Sequence, residues 1–529
     1  MPYFTIPFDM VESLSQRDVA YQIQPEKFEK FYSFSPDITG LKKALVSRSD
    51  FPVDRDLLVG ELERQYRNVS PTESQKVNIA ALGQDDVFTV ITAHQPSLFT
   101  GPLYFVTKII STISLAKHLQ EVIGKRIIPV FIIGSEDHDF EEVNHCVLYG
   151  KKIEWNSEQT GSVGRMTVHN LHGTLMDFFE ILGDSERAES VKYILNSSIE
   201  EAVTYNDFVF KLVNHLFGKY GVVVTNMDSR SFKQAFIPYM RKELFESPSE
   251  QLIVETQKEL ESLGYHGQAH AREINLFYLT DGARNRIVYE NGRYSVLETG
   301  LSWDKEDLMK ELEINPQNFS PNVVMRPLYQ EIIWPNLAYI GGGGELAYWL
   351  ERKTQFEKFD VFFPALIRRN SLMIINASQK KQWTELGFQL KDLLLPEYIL
   401  INQYLQDSTS FDINLDEEIK VISDTLSDIT EKAGLADKSL KAFSEAEHTR
   451  ILKQLQNIES RIKRSLKKKE ETSVSKIKKL KSQLFPNLGL QERHDNYFHH
   501  YLSHGDVLIN DLLEILNPLE KGFVIYYPE

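Results

Sequence analysis

Apolar positions along the chain change period several times, and the changes divide it into parts. Val87 to Pro96 (VFTVITAHQP) is a β-branched, apolar run closed by a turn signal, which predicts a buried strand. Gly101 to Gln120 follows with Leu103, Val106, Ile110, Ile113 and Leu115 at helical spacing. Pro102 suits the first turn of such a helix. Ile127 to Gly134 (IIPVFIIG) is again an apolar run of strand length. Strand, helix, strand is a βαβ unit and predicts a parallel sheet with a right-handed crossover. Gly221 to Asp228 predicts a third strand, after a helical stretch from about 175 to 219, and Leu366 to Ile375 returns to this core. Residues 1–85 read as mostly helical and polar.

Two other rhythms interrupt the α/β pattern. Between Leu276 and Glu298, Asp281-Gly282 and Asn291-Gly292 separate alternating runs, which predicts a small antiparallel meander inserted on the main domain. From about 386 the period becomes helical and long. Leu415, Ile419, Ile422, Leu426 and Ile429 form one apolar seam, and Ile451, Leu455, Ile458 and Ile462 form a second. Ile477, Leu480 and Leu484 resume the second seam in a register shifted by one, and Pro486 ends it. Two long helices with such seams predict an antiparallel coiled-coil arm. The expected organisation is a core over 1–385, with a helical insertion at about 150–220 and a small antiparallel one at about 265–320. A helical arm over 386–489 and a C-terminal segment over 490–529, ending in the strand-like FVIYY, complete it.

Composition narrows the class. With 529 residues the chain exceeds one ordinary core. Hydrophobic residues at 42% and charged residues at 25% fit a folded globular protein. A net charge of −16 argues against nucleic acid or an anionic membrane as partner, and an anionic substrate then needs a local basic pocket. The lone Cys146 permits no intrachain disulfide and is a poor base for a zinc site; it reads as a small hydrophobe beside a strand. MPYFTIPFDM has no basic region before an apolar stretch, so no signal peptide is expected, and no apolar run is long enough to span a bilayer. The expected location is cytoplasmic. Arg450 to Lys481 holds twelve Lys and Arg against three Glu. That stretch is either a solvated helix face or a surface for a phosphate-bearing ligand or acidic partner.

Ligands of open α/β sheets lie beyond the carboxyl ends of the strands, so two loops carry the candidate chemistry. After the first strand, Gln95, Thr100, Gly101 and, two turns into the helix, Lys108 suggest a cradle for phosphate or carboxylate. Its spacing is neither that of a P-loop nor of a dinucleotide fingerprint. After the second, GSEDHDFEEVNH packs five carboxylates and two histidines into twelve positions. Three readings compete. Asp137, His138, Asp139 and His145 could bind a metal ion. They could do acid–base work, His138 or His145 as base, with Asn144 beside them touching substrate. Or Glu141 and Glu142 are simply solvated in the first turn of a helix. A third stretch, Ser320 to Leu350, holds Arg326, Gln330 and Glu331, then the tetrad Gly341–Gly344, whose Gly342 and Gly343 let a backbone approach a ligand, and then Glu345 and Tyr348 on a helix.

These three stretches, HQPSLFTGPLYFVTK (94–108), PVFIIGSEDHDFEEVNH (129–145) and SPNVVMRPLYQEIIWPNLAYIGGGGELAYWL (320–350), resemble the cysteine-adding enzymes of bacillithiol biosynthesis, the BshC family. FPALIRRNS (363–371) and LQERHDNYF (490–498) support the match. Family members commonly carry Gly-Gln-Gln where this chain has Ala93-His94-Gln95, which favours Gln95 over His94 as a site residue. The resemblance implies a Rossmann-like core, a coiled-coil arm used for homodimerisation, ATP or ADP binding, and ligation of cysteine to glucosaminyl-malate through an activated carboxylate. Within that reading Asp137 or Asp139 holds an amino group, and Arg326 or Lys108 neutralises malate or phosphate charge. Gln491 and Arg493 are candidates for a second nucleotide site. A nucleotidyltransferase acting on another small metabolite, or a non-enzymatic coiled-coil scaffold that binds a metabolite, are the alternative expectations.

Overall fold

The computed structural model describes residues 2–527. Its central sheet is built from five parallel strands: β1 (Phe88–His94), β2 (Ile127–Ile133), β3 (Val223–Asn226), β4 (Asn336–Gly341) and β5 (Ala365–Arg368). Their order is β5-β4-β1-β2-β3. The sheet is buried on both faces, so β1 and β2 are continuous apolar runs and not alternating ones. Only the last position of β1, His94, is partly open. β1 and β2 pair in register from Phe88 with Ile127 to His94 with Ile133, which puts their carboxyl ends level.

β4 was not anticipated from the sequence, although it is a central strand. Pro335 precedes it and the run Asn336–Gly341 is short, so no period stands out. The N-terminus also departs from the helical expectation: Tyr3–Ile6 is a strand paired with Phe523–Tyr526, which pairs in turn with Ser371–Ile374. The helical insertion is present as Leu171–Leu182, Glu186–Ile199 and Tyr205–Phe217. The meander is present as Leu276–Thr280, Ala283–Glu290 and Arg293–Val296, extended by Ser302–Trp303 and Phe319–Pro321 into a five-stranded sheet.

Helix α1 (Tyr104–Ile123) connects β1 to β2 and ends where Gly124 takes φ 71°, its N–H bonding Gln120 O. The helix starts three residues later than Gly101. Phe99, Thr100 and Gly101 have φ of 47°, 72° and 56°, and Leu103 N–H is given to Asp495 O, so this turn cannot be helical. Three further helices of the core bear on the cavity described below: α2 (Arg230–Glu246), α3 (Arg326–Ile333) and α4 (Gly343–Trp349).

The chain forms two compact units, one running to Ile374 and resuming at Leu490, the other spanning Ile375–Gly489. The division falls after Ile374, earlier than residue 385. The second unit contains α5 (Asp416–Ala436), α6 (Lys438–Lys469) and α7 (Glu471–Leu484). α5 and α6 pack as a hairpin, with Ser423 against His448 and Thr430 against Ser444. The expected second arm helix is thus two, α6 and α7. The break at Glu470 is the physical cause of the register shift before Ile477, and Ile477, Leu480 and Leu484 on α7 are buried while α6 buries no residue.

Candidate functional site

In chain order the sheet runs outward from β1 through β2 and β3 on one side, and from β4 through β5 on the other. Between β1 and β4 the direction reverses, and such a switch point leaves a crevice at the carboxyl ends. A cavity of about 940 Å³ opens there. The end of β1 contributes His94 and the residue after it Gln95, the loop after β2 contributes Glu136 and Asp137, and the turn after β4 contributes Gly342, Gly343, Gly344 and Glu345. The antiparallel insertion roofs it with Arg284 and Arg286, and α3 adds Arg326 and Gln330.

The glycine tetrad is a strand-to-helix turn and not a flexible loop. Gly341 closes β4, Gly342 N–H is taken by the Glu345 carboxylate at 2.9 Å, and α4 starts at Gly343. A side chain at Gly343 would place its Cβ 2.2 Å from the Asp18 carboxylate, itself gripped by the Arg368 guanidinium at 2.7 and 2.9 Å. Inside this wall Lys108 bonds Glu345 at 2.7 Å and the carbonyl of Ala93, while Tyr339 donates to Glu345 at 3.0 Å. Burial works to raise the Glu345 carboxyl, and the Lys108 ammonium overcomes it, holding the group below its ordinary value. Lys108 is 1% exposed and does not line the cavity. Its charge is already matched, so it is not the free cation that the sequence suggested.

His94 does line the cavity. Its Nδ1 lies 2.8 Å from Gln95 O, so the neutral ring donates there and keeps the lone pair on Nε2. Burial, with Lys108 beside it, holds the imidazole down at about 4. Gln95 spends its amide on two carboxylates, Asp137 at 2.8 Å and Glu142 at 2.9 Å. Glu142 therefore faces the cavity and is not merely a solvated helix-start residue.

The acidic loop divides. Asp137 accepts from Gln95 on one oxygen and from the His138 backbone N–H on the other. Burial pushes Asp137 up, but the His138 side chain, the nearby Arg284 and these two bonds hold it well below the usual carboxylate range. Glu136 turns toward Lys233 of α2, a fully buried lysine that also bonds Asp228 at 3.2 Å and Gln317 O at 3.1 Å. Asp228 receives the Arg165 guanidinium at 2.7 and 2.8 Å. His138 lies outside the lining, its Nδ1 3.0 Å from Arg284. Asp139 is exposed at the start of Phe140–Val143. Asn144 and His145 bond each other, and Asn144 reaches Glu154; neither lines the cavity. A backbone helix turn and the strand His145–Leu148 carry them away from it.

The arginines are the feature that sequence reading largely missed. Arg284 stacks 4.1 Å from the Phe277 ring and donates to Ser320 Oγ and Pro321 O. Arg286 has a buried Nε with no hydrogen-bond partner. Arg326, anticipated from the sequence as was Arg493, donates to Tyr348 at 3.2 Å. Arg369 forms a fork with Glu492 at 2.8 and 2.9 Å, its Nε unpartnered, and Arg493 stands at the exposed rim. Two arginines two apart on a strand share a face, so Arg284 and Arg286 were legible in principle. Lys233 and Asp228 carry no local signal.

Four expected contacts fall elsewhere. Thr100, 1% exposed, and Gly101 sit in the kinked turn under Asn496, which bonds Phe99 O and Gly101 O, and neither lines the cavity. Glu331 is buried against Gln330 and Asn336, and burial pushes it up to about 7. Gln491 bonds both backbone groups of Ile374 and so fastens a strand. Among the described residues no group of three or more His, Cys, Asp or Glu is arranged to hold a metal ion, and Asp137, His138, Asp139 and His145 do not converge. No helix among them is long and apolar enough to cross a membrane.

Sequence comparison adds relatives to this geometry. The profile described as bacillithiol biosynthesis BshC, N-terminal Rossmann-like domain, matches residues 1–370, and that described as the BshC C-terminal coiled-coil domain matches residues 372–528. A Christiangramia forsetii protein, provisionally named cysteine ligase BshC, is 40% identical over 94% of this chain and 93% of its own. A Flavobacterium johnsoniae protein of the same provisional name is 37% identical over 99% of each chain. One from Bacillus cytotoxicus is 27% identical over 88% of this chain and 89% of its own.

Proposed function

The chain belongs to the BshC family of bacillithiol biosynthesis, and from that membership we propose that it is a ligase joining the carboxyl of cysteine to the amine of glucosaminyl-malate. The observation that carries the reading is the polarity of one cavity. Carboxylates after β2 share the cavity with arginines of the insertion and α3 that form no ion pair among the described residues, Arg286 and Arg326. An aminosugar bearing a dicarboxylate has the same polarity. Asp137, kept ionised, attracts the amine, and Arg326 with Arg286 takes the malate carboxylates as charge-assisted hydrogen bonds.

A free carboxylate is a poor electrophile, so cysteine must be activated, and ATP is the co-substrate that this reading calls for. The residues fit it: Gly344 presents backbone with open space where a side chain would stand, Arg369 keeps an unpartnered Nε beside Gly342, and Arg493 adds positive charge at the rim. A cavity of about 940 Å³ is at the upper end of the usual range for small-molecule sites, as two or three substrates require. The reading places the enzyme in the cytoplasm, where its small-molecule substrates are. The same proposal gives the arm a role in homodimerisation, supported by apolar side chains left exposed on α5 and α6, Val421, Leu435 and Phe443 among them.

The thiol profile of a strain lacking the protein tests the assignment. Loss of bacillithiol with accumulation of glucosaminyl-malate is expected. Unchanged bacillithiol would rule the assignment out.

A further inference from the structure

Resting on the ligase reading, we infer that Glu136, held by one oxygen on the buried Lys233 and presenting the other to the cavity, is the catalytic base that takes the proton from the attacking amine. The sequence points to His138 or His145 for that task, and neither lines the cavity.

The cavity offers five carboxylates and two imidazoles, of which His270 is exposed to solvent, and four of the carboxylates are committed. Glu345 serves Lys108, Tyr339 and the Gly342 N–H. Asp228 holds the Arg165 fork and Lys233. Asp137 has a hydrogen bond on each oxygen. Glu142 lies exposed on Gln95. Glu136 alone combines a largely enclosed side chain, 12% exposed, with one oxygen, Oε1, on Lys233 and the other, Oε2, without a hydrogen-bond partner among the described residues. The groups that face it are Lys233 of α2, Asp228 and Arg165 nearby, Arg284 of the insertion, Tyr329 of α3 and its neighbour Asp137.

The balance among these groups suits a base. Burial and Asp228 push Glu136 up, against the pull of Lys233, and the net direction is upward. Asp137, one residue on, is held down. Adjacent carboxyls driven apart in this way divide the work: one stays charged to attract the ammonium and the other exchanges the proton. His94 also has a free Nε2, but at about 4 its imidazole is the weaker proton acceptor. Lys233 is a positioning residue, acting only through the oxygen it holds.

The step balances without further reagents. The sugar amine attacks the carbonyl carbon of a mixed anhydride between the cysteine carboxyl and a phosphate from ATP. Before attack Glu136 Oε2 takes one proton from the sugar ammonium; a C–N bond then forms, the C–O bond to phosphate breaks with its electron pair leaving on the nucleotide or inorganic phosphate, and that phosphate takes the second N–H proton.

The test compares wild type with Glu136→Gln, which keeps shape and still accepts from Lys233. Glu136→Asp is a second variant, and circular dichroism confirms folding. Each is assayed with cysteine and ATP, once with glucosaminyl-malate and once with hydroxylamine, a nucleophile already neutral and in no need of a base. Amide formation by Glu136→Gln is expected to fall about 10²–10⁴-fold, with cysteinyl hydroxamate formed at the wild-type rate. Equal amide formation by wild type and Glu136→Gln overturns the assignment alone. Loss of hydroxamate together with amide overturns it too, because Glu136 then serves activation or the fold. Absence of ligation by wild type overturns the ligase reading, and this inference with it.

Discussion

Lys108 and Glu345 meet inside the wall of the cavity, and each charge there depends on the other. Removing one partner of a buried pair leaves an uncompensated charge. Lys108→Met is therefore expected to destabilise the core by about 3–5 kcal/mol, and adding Glu345→Gln should recover part of it; denaturant titration of the single and double variants measures both. Glu331 gives a pH prediction. Its folded-state value of about 7 lies above the ordinary 4.5, so the native state keeps a proton that the unfolded state releases between those values. Stability then falls as pH rises through that window. In Glu331→Gln the melting temperature should change less over the same window than in wild type. A parallel slope in the two proteins would show that Glu331 is not the titrating group. At this scale the sequence was informative about place and silent about direction. Gln95, Asp137, Arg326, Gly342, Gly343, Glu345 and Tyr348 do line the cavity, since a strand end fixes where they are. His145 and Lys108 share those segments and point elsewhere, because the strand after Asn144 and the position of Glu345 are set by distant parts of the chain.

Among the elements, α4 and its entry turn are the most constrained. Gly343→Ala would drive a methyl group into Asp18, whereas Gly344→Ala meets open space. A lowered melting temperature and weakened ligation are expected for the first variant. For the second, stability is expected to stay near wild type, since Ala is the better helix former. Equal melting temperatures would contradict the packing of Asp18 on the turn. β1, β2 and β3 were legible because a strand buried on both faces writes itself as an apolar run. β4 was not, because Asn336 and the flanking Pro335 and glycines interrupt the pattern. Its central place comes from pairing with β1 and β5, which only the folded chain supplies. The register slip before Ile477 was visible as a pattern, but its cause, a helix break at Glu470, was not.

For the whole molecule, the core is a discontinuous unit. Gln491 bonds the N–H and C=O of Ile374, so the chain leaves and re-enters the core side by side. Replacing 375–489 with a short Gly-Ser linker should therefore leave a folded core. Sedimentation is expected to find that core monomeric and the full chain dimeric. A full-length monomer would remove the arm from the proposed assembly. The claim that unites the scales is that the cavity at the β1–β4 switch point joins cysteine to an aminosugar dicarboxylate. Incubating the purified protein with cysteine, glucosaminyl-malate and ATP, and weighing the products by mass spectrometry, tests it most directly. Bacillithiol formed together with AMP or ADP is the predicted result. ATP consumed without a ligated thiol, or binding of the substrates without turnover, would contradict it.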